Sequence, residues 1–87
     1  MDIKEEFNIM ANRVRTERDN IKLKIHLASM DAKEEFQYAE KKWNQFKENA
    51  EKITDDAIDT SEEYIFKAKI IGEELKDTYK RISKKLR

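Results

Sequence analysis

Eighty-seven residues hold one small domain at most, and with 44% of them charged and 38% hydrophobic the chain has too few apolar side chains for a large enzyme with a deep pocket. One glycine and no proline remove the usual material of tight turns, hairpins and phosphate-cradling loops, which leaves helix as the expected structure. The 19 basic and 19 acidic residues cancel, which speaks against the strongly positive field of a general nucleic-acid binder. Without cysteine there can be neither disulfides nor thiolate metal sites. The start of the chain lacks a basic patch followed by an apolar run, and no stretch approaches the roughly 20 apolar residues of a membrane span. The expectation is a soluble, unprocessed, cytoplasmic protein.

Taken in chain order, the apolar residues fall at steps of three and four, the spacing of one helix face. Ile3, Phe7, Met10 and Val14 open the stripe. The polar run Arg15-Thr16-Glu17-Arg18-Asp19-Asn20 interrupts it. It resumes at Ile21 and Ile25 and continues through Ala28, Ala32, Phe36, Ala39, Trp43, Phe46, Ala50, Ile53 and Ala57. Two consecutive steps of four, Ala28 to Ala32 to Phe36, move the local period from seven towards eleven residues, which reduces supercoiling and suggests bundle-like packing. The segment from Ile53 to Glu63 gathers poor helix formers and good N-caps, and Thr60 followed by Glu63 reads as a capping box. The expected turn is therefore 54–60, centred near residue 58, between a helix over 3–53 and a helix over 61–86. Tyr64, Ala68, Ile71 or Gly72, Leu75, Tyr79, Ile82 and Leu86 carry the stripe along the second helix.

Asp55, Asp56, Asp59, Glu62 and Glu63 then lie near the positive start of the second helix, and Lys76, Lys80, Arg81, Lys84, Lys85 and Arg87 lie towards its negative end, as the helix dipole favours. Folding back near residue 58 sets that basic segment beside Asp31, Glu34, Glu35 and Glu40, so opposite charges meet in the antiparallel register. Local pairs are expected at Glu48 with Lys52, Glu63 with Lys67 and Asp77 with Arg81.

The first helix is too long for the second to cover. Ile3, Phe7, Met10 and Val14 overhang, and each large side chain gains roughly 1.5 to 3 kcal/mol on burial, so a surface must be found for them. The fold class expected is all-α: an antiparallel helical hairpin, coiled-coil or bundle-like, completed by self-association, with a dimer favoured. The alternative is a three-helix bundle broken near residues 15–20, capped at Asp19 or Asn20. The core or interface is expected at Phe7, Met10, Val14, Phe36, Trp43, Phe46, Ile71, Leu75, Tyr79 and Ile82. Tyr38 falls outside the strict stripe and is a candidate for a widened, partner-facing surface, and Gly72 marks a close helix crossing near an aromatic knob.

No catalytic, metal or cofactor site is expected. His26 is the only imidazole, and Leu23 stands where a helical Glu-x-x-His carboxylate site needs its acid. Asp55, Asp56 and Asp59 lack the central glycine of a calcium loop. Ser29, Ser61 and Ser83 have no glycine-rich elbow or His–acid pair to activate them. In Tyr64-Ile65-Phe66-Lys67-Ala68-Lys69-Ile70-Ile71 the apolar face is broad and a basic tail follows, which allows a membrane-surface role for the C-terminal helix; Glu73, Glu74 and Asp77 weaken it. The tail with Arg13, Arg15, Arg18, Lys22 and Lys24 could meet phosphates, but no base-reading or stacking element accompanies it.

The segments Ile25-His26-Leu27-Ala28-Ser29-Met30-Asp31-Ala32-Lys33-Glu34-Glu35-Phe36 through Lys41-Lys42-Trp43, and Ile71-Gly72-Glu73-Glu74-Leu75-Lys76-Asp77-Thr78-Tyr79-Lys80-Arg81-Ile82, resemble small bacterial coiled-coil proteins of unknown function. The likeness runs over about residues 13–86, and implies a short cytoplasmic helical protein of bacterial origin without an assigned activity. The local eleven-residue period is also similar, more distantly, to lipid-binding or stress-protective helices. The functional expectation is a non-enzymatic structural or adaptor module that acts through self-association or contact with another helical protein. The alternative is an amphipathic protein that binds anionic membranes through its C-terminal helix.

Overall fold

A computed structural model describes residues 2–55 and 59–86. Three helices carry the fold: α1 (Ile3–Lys24), α2 (Met30–Thr54) and α3 (Glu62–Lys84), with a short 3-10 turn at Ile25–Leu27. Among the described residues there is no strand. Each helix begins on a side-chain cap. The Asp2 carboxylate accepts from the Glu5 amide at 2.8 Å, the Ser29 hydroxyl from the Ala32 amide at 3.2 Å, and the Ser61 hydroxyl from the Tyr64 amide at 3.1 Å. Each cap satisfies one of the amides that a helix start leaves without a partner.

The all-α class stands, but the long first helix does not. The chain turns at 25–29, where Ala28 (φ −85°, ψ 168°) and Ser29 (φ −64°, ψ 161°) are extended. The result is the three-helix alternative, with its break later than the expected 15–20. Helix α1 passes straight through Arg15–Asn20 because Phe7, Val14 and Ile21, all buried, are seven residues apart and keep one face inward across the polar run. Arg18, four residues after Val14, fills the stripe position where no apolar residue stands. The eleven-residue period read across Ala28 is likewise not a property of one helix, since Ala28 lies in the turn. The cap of α3 is Ser61 rather than Thr60. The expected turn centre near residue 58, with Asp56 and Ala57, lies outside the described residues, as does Arg87.

The helices run up, down and up, so α3 is parallel to α1 and antiparallel to α2. Helix α3 lies closest to both neighbours, while α1 and α2 stand further apart. Side-chain size explains this: α3 buries Ala68 and Gly72 at its centre, whereas the α1–α2 gap is filled by rings, with Phe7 and Phe46 at 5.5 Å and Phe46 and Trp43 at 6.0 Å between centroids. A Cβ built on Gly72 would stand 2.6 Å from Met10 Cε and 2.8 Å from Phe46 Cε1, which is the close crossing beside an aromatic knob that the sequence predicts. Phe7 and Val14 are fully buried, with Ile3 and Met10 packed at the edge of the same core. The overhang that called for a second copy is thus covered within the chain.

Candidate functional site

Of the ten residues expected in a core or interface, Phe7, Val14, Phe36, Trp43, Phe46, Leu75, Tyr79 and Ile82 are buried, and Met10 and Ile71 are partly buried against them. The structure brings them into one interior. What the molecule can offer a partner must therefore come from elsewhere on its surface.

One polar cluster interrupts the interior. Arg18 of α1 donates from Nε and Nη2 to the two carboxylate oxygens of Glu40 on α2, both at 2.7 Å, and its guanidinium sits 5.2 Å from the centre of the Trp43 ring. A bidentate fork stacked on an aromatic face is geometry that arginine, but not lysine, can adopt. The hydrogen bonds that Arg18 donates to Glu40, and the charge of that carboxylate, hold the guanidinium more firmly protonated than usual. Burial, and then the Glu40 carboxylate, push the Tyr79 phenol well above its ordinary range. The Tyr79 hydroxyl itself is enclosed without a hydrogen-bond partner. These groups can fix the register of α1 against α2, but they are packed between helices and open no cleft for chemistry.

The ends of the bundle differ. At one end, the start of α1, the finish of α2 and the start of α3 gather Glu5, Glu6, Glu51, Glu62 and Glu63. At the other, Lys22 and Lys24 close α1 while Arg81 and Lys84 close α3. Lys85 reaches across from α3 to the start of α2, donating to Asp31 and Glu35 at 2.9 Å each, and those bonds raise its pKa. This is the antiparallel charge match expected from sequence for Asp31 and Glu35, whereas Glu40 pairs with Arg18 of α1 instead. Of the intrahelical pairs, Glu63 and Lys67 meet at 3.3 Å, while Arg81 turns to the Thr78 hydroxyl instead.

The basic end also carries the most exposed large apolar residues among those described: Leu23 at 74%, Leu27 at 82% and Met30 at 72%. They fall within eight residues across the α1–α2 turn, on its outer side. Lys24, Leu27, Ala28, Ser29, Lys85 and Leu86 line a shallow depression there, so α3's last residues form its other wall. Lys22, Lys24 and Lys84 form no ion pair among the described residues. His26, in the same turn, is exposed. Tyr38, expected to widen the stripe, is exposed with the Lys42 ammonium 5.9 Å from its ring, and it lies on α2 away from this corner. A second group of three, Ile9 at 44%, Phe66 at 57% and Ile70 at 49% exposure, lies in the acidic half. Of the broad apolar face of α3, Ile65, Ala68, Leu75, Tyr79 and Ile82 are buried in the core, while Phe66 and Ile70 stay exposed.

Sequence periodicity passed over Leu23, Leu27 and Met30 because they do not belong to the stripe. Each stands two residues after a stripe position, Ile21, Ile25 and Ala28, and so on the far side of a helix. Apolar residues recurring out of phase were the available signal. Among the described residues no group of three or more His, Asp or Glu is placed to hold a metal ion, and no helix is long and apolar enough to cross a membrane. No protein-family model, curated protein or solved structure matches the chain. The resemblance to small bacterial coiled-coil proteins accordingly rests on its two quoted segments alone.

Proposed function

We propose that the protein is a non-enzymatic structural or adaptor module, a rigid three-helix scaffold that docks through the α1–α2 corner on an acidic counterpart. The observation that supports this is the exposure of Leu23, Leu27 and Met30 beside Lys22, Lys24 and Lys84, which form no ion pair among the described residues. Exposed large apolar residues concentrated in one place and rimmed by like charge mark contact surfaces rather than ordinary surface scatter. A photoreactive residue in place of Leu27 crosslinks to the counterpart in cells, whereas the same probe at exposed Gln45 on the shaft of α2 does not; equal labelling at both positions refutes the proposal.

Self-association keeps one specific support, the opposite charge of the two ends. An acidic end meeting a basic end is a head-to-tail contact, which builds open chains rather than a closed dimer. Light scattering at low ionic strength should then show mass rising continuously with concentration and falling back on added salt. A mass that stays at one chain throughout excludes this second reading.

A further inference from the structure

The counterpart can be narrowed by shape and charge. We infer that the α1–α2 corner docks on an anionic lipid surface, a proposal that rests on the docking reading, with Leu23, Leu27 and Met30 entering the interface and Lys22, Lys24 and Lys84 lying among the headgroup phosphates. Three features carry it. First, the apolar side chains stand on the outside of a turn at the end of a rod 42 Å long and about half as wide. A protein partner needs a matching concavity to cover a protruding corner, whereas the acyl–headgroup boundary is fluid and closes around it.

Second, the charge around the corner is net positive. Asp31 and Glu35, the carboxylates nearest the start of α2, are held by Lys85, and Glu34 is the remaining carboxylate of that turn against Lys22, Lys24, Lys33 and Lys84. Among the described residues Lys22, Lys24 and Lys84 form no ion pair, and such ammonium charge is what attracts a polybasic surface to acidic lipid. Third, the zero net charge does not oppose binding. Fields from an anionic bilayer decay over about 8 Å at physiological ionic strength, far less than the 42 Å length of the bundle. The membrane meets only the basic end, and the acidic end stands away from it, which also sets the orientation of the rod. This placement is at the end of the rod and so differs from docking along α3, where the exposed apolar residues are Phe66 and Ile70.

Co-sedimentation of the intact chain with vesicles of phosphatidylcholine alone, and with about one third phosphatidylserine, tests the inference. Binding is expected only to the acidic vesicles, with the partition coefficient falling about tenfold or more between low and physiological salt. Replacing Leu23, Leu27 and Met30 by Ser should lower binding by at least about tenfold with an unchanged thermal melt, since these side chains are exposed. Because the chain has no cysteine, Leu27→Cys and Glu51→Cys can each carry an environment-sensitive dye. The dye at 27 should shift to the blue with acidic vesicles, and the dye at 51 should not. Absence of binding to acidic vesicles at low salt, full binding by the serine variant, or equal shifts at 27 and 51 overturns the inference. If vesicles fail while the photoprobe at Leu27 still crosslinks to one protein in cells, the lipid assignment falls and the docking reading survives. If both fail, both fall.

Discussion

Gly72→Ala tests the tightest point of the bundle. Alanine is favoured over glycine in a helix interior by about 1 kcal/mol, so an open site would be stabilised. The added Cβ, however, would stand 2.6 Å from Met10 Cε, 3.1 Å from Met10 Sδ and 2.8 Å from Phe46 Cε1. Met10 can swing its flexible thioether aside. The Phe46 ring has no such freedom: it is 1% exposed, with Phe7 at 5.5 Å and Trp43 at 6.0 Å, so moving it displaces the filling between α1 and α2. Overpacking of this kind costs about 1 to 3 kcal/mol, and subtracting the helix gain leaves a net loss of about 1 kcal/mol. For a domain of this length that lowers Tm by about 4 to 8 °C. Urea and thermal unfolding followed by far-UV circular dichroism measure it. In a Phe46→Leu background the ring edge is gone and Gly72→Ala should become neutral or stabilising, a coupling of about 1 to 2 kcal/mol. A wild-type background that gains about 1 kcal/mol from the alanine, or identical effects in the two backgrounds, would refute the close crossing.

Tyr79→Phe removes a hydroxyl that is enclosed without a partner and should leave stability unchanged or raise it by up to about 1 kcal/mol; a clear loss in urea unfolding would show that the hydroxyl is bonded. Because burial raises the Tyr79 phenol, the folded chain keeps a proton that the unfolded chain releases above its ordinary pKa near 10. Stability from this group is therefore level below about pH 10 and declines above it, and the decline is smaller in Tyr79→Phe when melts are compared across that range. Arg18→Met and Glu40→Gln should each cost about 1 to 3 kcal/mol by leaving a largely enclosed charge without its fork, and a double-mutant cycle should return a coupling above about 0.5 kcal/mol; additive effects would show that the pair does not hold α1 on α2. Ser29→Ala should cost about 1 kcal/mol through loss of the α2 cap, measured by urea unfolding, whereas Thr60→Ala should change little because Ser61 caps α3.

The interior was legible because burial demands a period. Phe36, Trp43, Phe46, Leu75, Tyr79 and Ile82 lie on the stripe and inside the bundle, and nothing but spacing was needed to find them. The helix break was misjudged for a related reason. A polar run looks like an interruption, yet in Arg15–Asn20 the inward position is held by Arg18, which Glu40 and Trp43 accommodate between the helices. At 25–29 the sequence keeps apolar residues in phase through Ile25 and Ala28, so periodicity runs across a turn that only the capping serine betrays. Burial and helix continuity are separate constraints, and one stripe reports the first alone.

The position of that turn decides what the surface can do. On an unbroken rod over 3–53, Leu23, Leu27 and Met30 would sit on the shaft, among charged neighbours and available to a second helix. With the turn at 25–29 the same residues move to one end of the molecule, next to the basic finish of α3. Among the described residues the stripe is by then buried or packed against the core, Ala28 of the turn aside, and exposing Leu23, Leu27 and Met30 brings the fold no burial. Elsewhere on α1 and α3 the exposed positions are mostly charged, with Ile9, Phe66 and Ile70 the large apolar ones among them. Three large apolar side chains kept wet at a single corner are better explained by what they touch than by what they stabilise.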